Sequence, residues 1–197
     1  LPGLNTDSLS INMDSLYFNI GKDYFASVTK IKGFSKPQIY TDTRTKIDLE
    51  KWAKIINLDS VALKGRLEMS LKADGKFTIK VVHSGIRQVD TVLYTVPKFY
   101  LNASLRNGYF KYLAMPAAID KLNFDINGDN KDGDYKSTKF AIENIDITAL
   151  NNYIKGYAKL QTAENLPFEA KFKSLINFGD LKNIYPIKGY EITGLLN

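Results

Sequence analysis

The chain has 197 residues, of which 44% are hydrophobic, 12% aromatic and 24% charged, and its net charge is +6. This composition fits one large globular domain or two small ones, and no stretch approaches the ~20 apolar residues of a membrane-spanning helix. The absence of cysteine excludes disulfides, thiol catalysis and thiolate metal sites. Basic residues are spread evenly and arginine is scarce, which argues against nucleic acid as a partner and favours a solvated basic surface.

Alternation of apolar and polar residues with a period of two runs through most of the chain and predicts strands. Residues 61–71, 99–106, 121–127 and 167–175 each place apolar side chains on one face and polar side chains on the other. This pattern is typical of an antiparallel sheet with one face in water.

Several short signals predict where the strands end or bend. The apolar phase switches at Asp14–Ser15, which predicts a turn. Asp74–Gly75, Asn107–Gly108 and Asp132–Gly133 are dipeptides that favour hairpins. The phase slips again near Asn144, where we expect a bulge or a tight bend.

Two short segments show helical spacing instead. Residues 48–57 place Leu49, Trp52 and Ile55 on one helical face, and Asp48 is a suitable N-cap. A second segment runs from 177 to 185 and is stopped by Pro186. Nine to eleven strands and two short helices are therefore expected, which indicates a mainly β, α+β chain.

The two helical segments belong to an internal repeat. The stretch 47–67 recurs as 176–196 without a gap, at a constant shift of 129 positions (194 − 65 = 129). Apolar positions coincide, as in Trp52 with Leu181. We expect two related units, at about 37–71 and 167–197, in a single β-rich domain spanning 1–197. The predicted fold is a long, curved antiparallel sheet, forming an open groove or an incomplete barrel.

The segment 125–134 has a weak likeness to a calcium-binding loop. Asp125, Asn127 and Asp129 match the first three ligand positions of an EF-hand-like loop. Lys136 stands at the twelfth position, where a bidentate acid is required, and the segment is entered from a strand. A polar hairpin turn is the favoured interpretation, and no metal site is expected.

No catalytic centre is apparent from the sequence. The only histidine, His83, ends a strand and has no nucleophile elbow to accompany it. Nothing makes any two of the many carboxylates converge, although a glycosidase-like pair roughly 5–10 Å apart would be needed for hydrolysis. No cofactor is expected either.

Four segments, taken in order, carry a family resemblance. The first, 47–67, is a strand followed by a helix with an acidic residue before leucine and then by a Leu-x-Gly-x-Leu strand. The second, 105–119, has Asn-Gly, then aromatic residues, then Pro and Ile. The third is the hairpin of 122–147, and the fourth is the terminal unit of 165–181. In this order the chain resembles the C-terminal region of AsmA-like proteins, large envelope proteins of Gram-negative bacteria. The resemblance implies a periplasmic module of a parent anchored in the inner membrane. It also implies a link to phospholipid transport, since relatives with long β-grooves are thought to carry phospholipid between the two membranes. It brings no catalytic motif.

The resulting expectation is a non-catalytic envelope module. It would bind or transport phospholipid, or serve outer-membrane biogenesis and homeostasis, through an apolar sheet face. Candidate lipid-facing residues are Leu63, Leu67, Met69, Leu101, Leu105, Leu122, Phe124 and Ile126. The alternatives are a scaffold that binds other envelope proteins, a face simply covered by helices and a second layer, and a hydrolase acting on glycans or lipids. A chain that opens without methionine and ends inside a strand is expected to be a fragment of a longer protein.

Overall fold

The computed structural model describes residues 6–83, 89–185, 189 and 192–197. The first half contains a 3-10 turn at Thr6–Ser8, β1 (Ser10–Ile20), β2 (Asp23–Lys32), β3 (Gln38–Asp48), helix α1 (Leu49–Ile55), β4 (Val61–Lys76), β5 (Thr78–His83) and β6 (Val89–Thr95). The second half contains β7 (Lys98–Tyr112), β8 (Ile119–Asn130), a 3-10 turn at Tyr135–Ser137, β9 (Lys139–Ala149), β10 (Asn152–Gln161), β11 (Phe168–Asn177), a 3-10 helix at Phe178–Asn183 and β12 (Leu195–Leu196).

Ten of these strands form a single antiparallel sheet. Their order is β1-β2-β3-β4-β7-β8-β9-β10-β11-β12, while β5 and β6 make a separate hairpin between β4 and β7. β1 and β12 are the outer strands and do not pair with each other, so the sheet stays open. The predicted fold, a long and mostly β antiparallel sheet with two short helices, is confirmed.

The two predicted helices are present at the predicted places. The Asp48 side chain caps α1 by accepting hydrogen bonds from the backbone N–H groups of Glu50 and Lys51. The second helix is a 3-10 helix, and Asn177 caps it by accepting from the N–H of Gly179. Its predicted stop at Pro186 lies outside the described residues.

Three of the predicted turns are wrong, because bulges and glycines bend the strands without ending them. Asp14–Ser15 lies inside β1, where the register with β2 shifts between Met13 and Leu16. Asn107–Gly108 forms a bulge inside β7. Asp74–Gly75 lies inside β4, paired with β3. The bulge expected near Asn144 is confirmed, and Asp132–Gly133 lies in the connection between β8 and β9.

The internal repeat is visible in the hydrogen-bonding register. In the first unit Ile47 pairs with Leu67 and Asp48 with Arg66. At positions 129 residues later, Ile176 pairs with Leu196 and Asn177 with Leu195. The equivalent glycines that precede these pairs have nearly the same φ, 122° at Gly65 and 127° at Gly194.

The repeat extends further towards the N-terminus than its predicted start. β9 and β10 begin and end 129 residues after β1 and β2, and the 3-10 turns before them correspond in the same way. The bulge between β9 and β10 also falls at the position equivalent to the one between β1 and β2. The tight turns match as well, with φ of 65° at Gly21 and 55° at Leu150. The repeated unit is therefore 6–67 and 135–196.

An open sheet leaves little closed core. Among the described residues the buried hydrophobic ones are Leu105, Ala118, Ala149 and Ile184. The accessible surface is 13400 Å², whereas a globular monomer of this mass is expected to expose only about 9,400 Å². Much of the apolar surface of this sheet is consequently not enclosed.

Candidate functional site

One face of the sheet carries apolar side chains across six neighbouring strands, β4 to β11, and is bordered by threonines of β3. Side chains on this face follow the strand pairings in rows that run across the sheet. One row is Thr45, Met69, Ala103, Ile126, Ile142, Ala158 and Ala170. The next row is Thr43, Leu71, Leu101, Gly128, Phe140, Leu160 and Phe168. We call this surface, from β4 to β11, the apolar face.

The eight lipid-facing candidates all lie on β4, β7 and β8, the three strands of the apolar face nearest to β3. Leu105 is buried, and the other seven are half-buried. The more exposed apolar residues of this face lie on β9 and β11 and were not among the candidates. They are Phe140 and Ile142 of β9, each 40% exposed, and Phe168 and Phe172 of β11, at 67% and 51%. Their alternation was visible in the sequence, but their position in the strand order was not.

Two glycines, on β8 and β10, lie against residues of the neighbouring strands in the apolar face. A Cβ atom on Gly128 would lie 2.8 Å from the ring of Phe140 and 3.3 Å from that of Phe99. One on Gly156 would lie 2.0 Å from the backbone oxygen of Lys171 and 2.9 Å from the ring of Phe172. Glycine thus allows the rings and backbone of neighbouring strands to approach closely at both positions.

The β2–β3 part of the same surface is lined by hydroxyl groups. Ser27 hydrogen-bonds Thr43 at 2.8 Å, Thr29 hydrogen-bonds Thr41 at 2.9 Å, and the Thr45 hydroxyl donates to the backbone oxygen of Tyr24 at 3.1 Å. Ser27, Thr41, Thr43 and Thr45 are all buried. Further hydrogen bonds join Thr41 to Thr43 at 3.1 Å and Ser27 to Thr29 at 3.2 Å. The hydroxyls of β2 and β3 therefore satisfy one another on this part of the surface.

The two helices lie at one end of the sheet. The Trp52 ring of α1 lies with its centroid 5.0 Å from that of Phe18, which in turn stacks on Phe25 at 5.0 Å. At the second helix, Ile184 is buried and Asn152 donates a hydrogen bond to Asp180 at 3.1 Å. The helices follow β3 and β11, and both strands terminate at the same end of the sheet. The β5–β6 hairpin and the 131–138 connection lie at the opposite end.

The opposite face of the sheet carries cross-strand ion pairs. Examples are Lys72 with Asp42 at 3.3 Å and Lys159 with Glu143 at 3.2 Å. A hydrogen bond from Lys121 lowers the pKa of Asp146, and that lysine's positive charge adds to the effect. Ion pairs of this kind between exposed side chains contribute little to stability, so this face is described as a hydrated surface.

The residues of the calcium-loop interpretation do not form a loop. Asp125, Asn127 and Asp129 alternate along β8, so Asp125 and Asp129 are about 13 Å apart. The Asp125 carboxylate accepts one hydrogen bond from Arg106 and another, at 2.5 Å, from the side-chain amide of Asn144. Burial would raise the pKa of Asp125, but these two hydrogen bonds lower it overall. The hairpin turn predicted for the whole segment is also misplaced, because the strand continues to residue 130 and the connection is 131–138.

The remaining candidates for chemistry are His83 and the carboxylates. His83 ends β5, and its side chain lies outside the described part of the chain. Asp125 and Glu143 face each other across β8 and β9, yet each is paired with its own cation, Arg106 and Lys159. In the described residues no group of three histidines or acids is arranged to hold a metal ion.

Comparison with known proteins gives no assignment. No known family, no curated protein and no solved structure matches this chain. Over the ranges that the structure describes, no helix has the length and apolar character needed to cross a bilayer. The function is therefore argued from the apolar face itself.

Proposed function

We propose that this chain is a non-catalytic module of an AsmA-like envelope protein, and that its apolar face binds the acyl chains of phospholipid during lipid transport or outer-membrane homeostasis. The observation that carries the proposal is the set of apolar rows across six neighbouring strands, β4 to β11, in which Phe140, Ile142 and Phe168 are 40–67% exposed. Contiguous exposed apolar surface on this scale is typical of ligand, membrane or protein interaction sites.

The dimensions of the apolar face suit an acyl chain. Six strands spaced about 4.8 Å apart make a surface roughly 25 Å wide. One leaflet of a bilayer has a hydrocarbon depth of about 15 Å, so the two chains of one phospholipid fit on this surface. Each buried methylene contributes about 0.8 kcal/mol when fully covered, and two chains bind stably where one binds marginally.

The proposed cellular setting follows from the resemblance alone. An AsmA-like parent would hold the module in the periplasm of a Gram-negative bacterium, anchored to the inner membrane by a segment outside this chain. The net charge of +6 favours anionic headgroups over neutral ones at the rim of such a site.

The test compares two variants that differ only in which face of β9 they change. Ile142 lies on the apolar face and is 40% exposed, whereas its neighbour Ala141 lies on the opposite face. Wild-type protein and Ala141→Glu are expected to co-purify with phospholipid, detected by solvent extraction and mass spectrometry. Ile142→Glu is expected to lose most of it, because a carboxylate would then be buried against methylenes.

Two results would remove the proposal. One is wild-type protein that neither carries phospholipid nor takes up a fluorescent phospholipid from vesicles. The other is equal lipid content in the two variants, which would show that lipid binding does not use the apolar face.

A protein-interaction scaffold is the second candidate function. It is favoured by the outer strand β1, which among the described strands pairs only with β2. Protein that is free of lipid but binds a defined polypeptide strand would support it.

A further inference from the structure

The hydrated face of the sheet, opposite the apolar face, carries two open cavities that meet in its middle. One, of about 440 Å³, is lined by side chains of β2 to β9, and the other, of about 590 Å³, by those of β8 to β11. Asn127 and Glu143 line both cavities, so the two form one continuous depression, which we call the polar trough. Between Arg44 on β3 and Lys159 on β10 it crosses five strand spacings, which at about 4.8 Å each gives a length of about 24 Å.

The floor of the polar trough is a single row of residues paired across the strands. The row consists of Arg44, Ser70, Asn102, Asn127, Ala141 and Lys159. At its centre Asn102 and Asn127 are direct cross-strand partners, and both are half-buried. Within the described ranges neither side-chain amide makes a hydrogen bond to another group of the chain. The centre of the trough therefore presents two amides, each with a free donor and a free acceptor.

The charges around this floor argue against a charged ligand. Three cations and five carboxylates line the trough, although the whole chain has a net charge of +6. The cations are Arg44, Lys139 and Lys159, and the carboxylates are Glu68, Asp125, Asp129, Glu143 and Glu169. An anionic ligand such as a phosphate would meet an excess of carboxylates, and would be repelled.

The lining carboxylates are at the same time engaged by cations of the chain itself. Glu143 pairs with Lys159 at 3.2 Å, Glu68 pairs with Lys46 at 2.5 Å, and Asp125 pairs with Arg106. A cationic ligand would have to displace these partners. The trough consequently suits an uncharged ligand that is rich in hydrogen-bonding groups.

Tyrosine rings stand at both ends of the trough. Tyr24 lines the smaller cavity and is 36% exposed. At the other end, the Tyr157 hydroxyl donates to Glu169 at 2.7 Å, and Lys159 lies 5.4 Å from the centre of that ring. An aromatic ring offers an apolar surface beside polar groups, which is the combination that a sugar ring requires, because its C–H face is apolar and its rim carries hydroxyls.

We propose that the polar trough binds an uncharged linear oligosaccharide that lies across the strands. Sugar hydroxyls both donate and accept hydrogen bonds, and so match the amides of Asn102 and Asn127, while a sugar ring at one end packs on Tyr24. An extended peptide also carries uncharged donors and acceptors, but its backbone is recognised by pairing along a strand edge, whereas the face of a sheet presents side chains only. This inference concerns the opposite face of the sheet and does not depend on the lipid proposal.

The probes are cellohexaose and chitohexaose, which are both extended and uncharged. An NMR titration of the isotope-labelled full chain measures binding and locates it through the backbone amide signals. A Kd of about 1 mM or tighter is expected for at least one probe, with the largest shifts at the floor of the trough. The corresponding disaccharides, cellobiose and chitobiose, are expected to bind at least about tenfold more weakly, because each covers only part of a trough about 24 Å long.

Two pairs of variants separate the trough from the rest of the surface. Asn127→Ala removes an amide that lines both cavities, whereas Asn12→Ala removes an exposed one on β1. Tyr24→Ala removes the ring at the end of the trough, whereas Tyr94→Ala removes one that is 57% exposed on the β5–β6 hairpin. The trough variants are expected to weaken hexasaccharide binding about tenfold, and the control variants to leave it within about twofold. Circular dichroism verifies that each variant is folded, and Asn102→Ala repeats the test at the facing amide.

Several results would overturn the proposal. The first is the absence of binding by both hexasaccharides, and the second is binding that the trough and control variants weaken equally. Tighter binding of the acidic hexagalacturonate would show that the ligand is selected by charge. Binding of an uncharged extended peptide in place of both hexasaccharides would assign the trough to a polypeptide partner instead.

Discussion

Asp23 and Asn152 occupy equivalent positions of the repeat, and each accepts a hydrogen bond from the backbone N–H of a helix-capping residue. Substitutions at these two positions therefore test how much that hydrogen bond contributes to the stability of the fold. Asp23 is 1% exposed, accepts a hydrogen bond from the backbone N–H of Asp48 at 3.1 Å, and meets Arg66 at 3.4 Å. Asn152 likewise accepts from the N–H of Asn177, at 2.5 Å. Each side chain thereby holds the residue that caps the following helix.

We predict that Asp23→Ala lowers the free energy of unfolding by about 3 kcal/mol. The alanine leaves the N–H of Asp48 without its acceptor, which costs about 1–3 kcal/mol, and removes an ion pair worth up to about 1 kcal/mol because Arg66 is partly exposed. Asp23→Asn, the residue found at the equivalent position, keeps an acceptor oxygen. It is expected to cost about 1 kcal/mol or less.

Urea unfolding of the three proteins, followed by circular dichroism, measures both differences. Asn152→Ala provides an independent copy of the experiment, and a loss of about 2–3 kcal/mol is expected there. Equal destabilisation by Asp23→Ala and Asp23→Asn would refute the reasoning, because the effect would then come from the lost charge and not from the lost acceptor.

Two further predictions concern backbone strain and pH. Gly65→Ala should lower the free energy of unfolding, measured with urea, by more than about 3 kcal/mol, because the new Cβ would lie 2.8 Å from a backbone carbon of β7. Gly194 has nearly the same positive φ, but the nearest atom to its new Cβ would be 3.7 Å away, so Gly194→Ala should lower it by only about 1–2 kcal/mol. Since the pKa of Asp125 is lowered by Asn144 and Arg106, its stabilising effect is present above its unfolded pKa of about 3.9 and lost as the pH falls through the folded value. Asp125→Asn should therefore destabilise the protein at pH 7 and converge with wild type below about pH 4; a difference that persists at low pH would contradict this.

Strand positions could be predicted from alternation, but several strand ends could not. Asp74–Gly75 and Asn107–Gly108 have hairpin sequences, yet both lie inside long strands. Glycine is required at position 108 because a Cβ atom there would lie 2.3 Å from the backbone oxygen of Leu122. A Cβ atom on Gly65 would in turn lie 2.8 Å from the Cα of Gly108. These glycines allow three strands to approach closely, a requirement that depends on strand order and is invisible in a local sequence pattern.

The early half of the repeat was missed for a related reason. Apolar and polar positions alternate in the same way in both units, but the residue types at these positions differ. They differ because the equivalent strands have different neighbouring strands in the sheet. Thr43 lies between two full strands and satisfies its hydroxyl there, whereas the equivalent Phe172 lies at the sheet edge. Ser27 and Gly156 differ in the same way, since a Cβ atom at Gly156 would lie 2.0 Å from the backbone oxygen of Lys171 and 2.9 Å from the ring of Phe172. Matching residue identities could find the helices but not these strands.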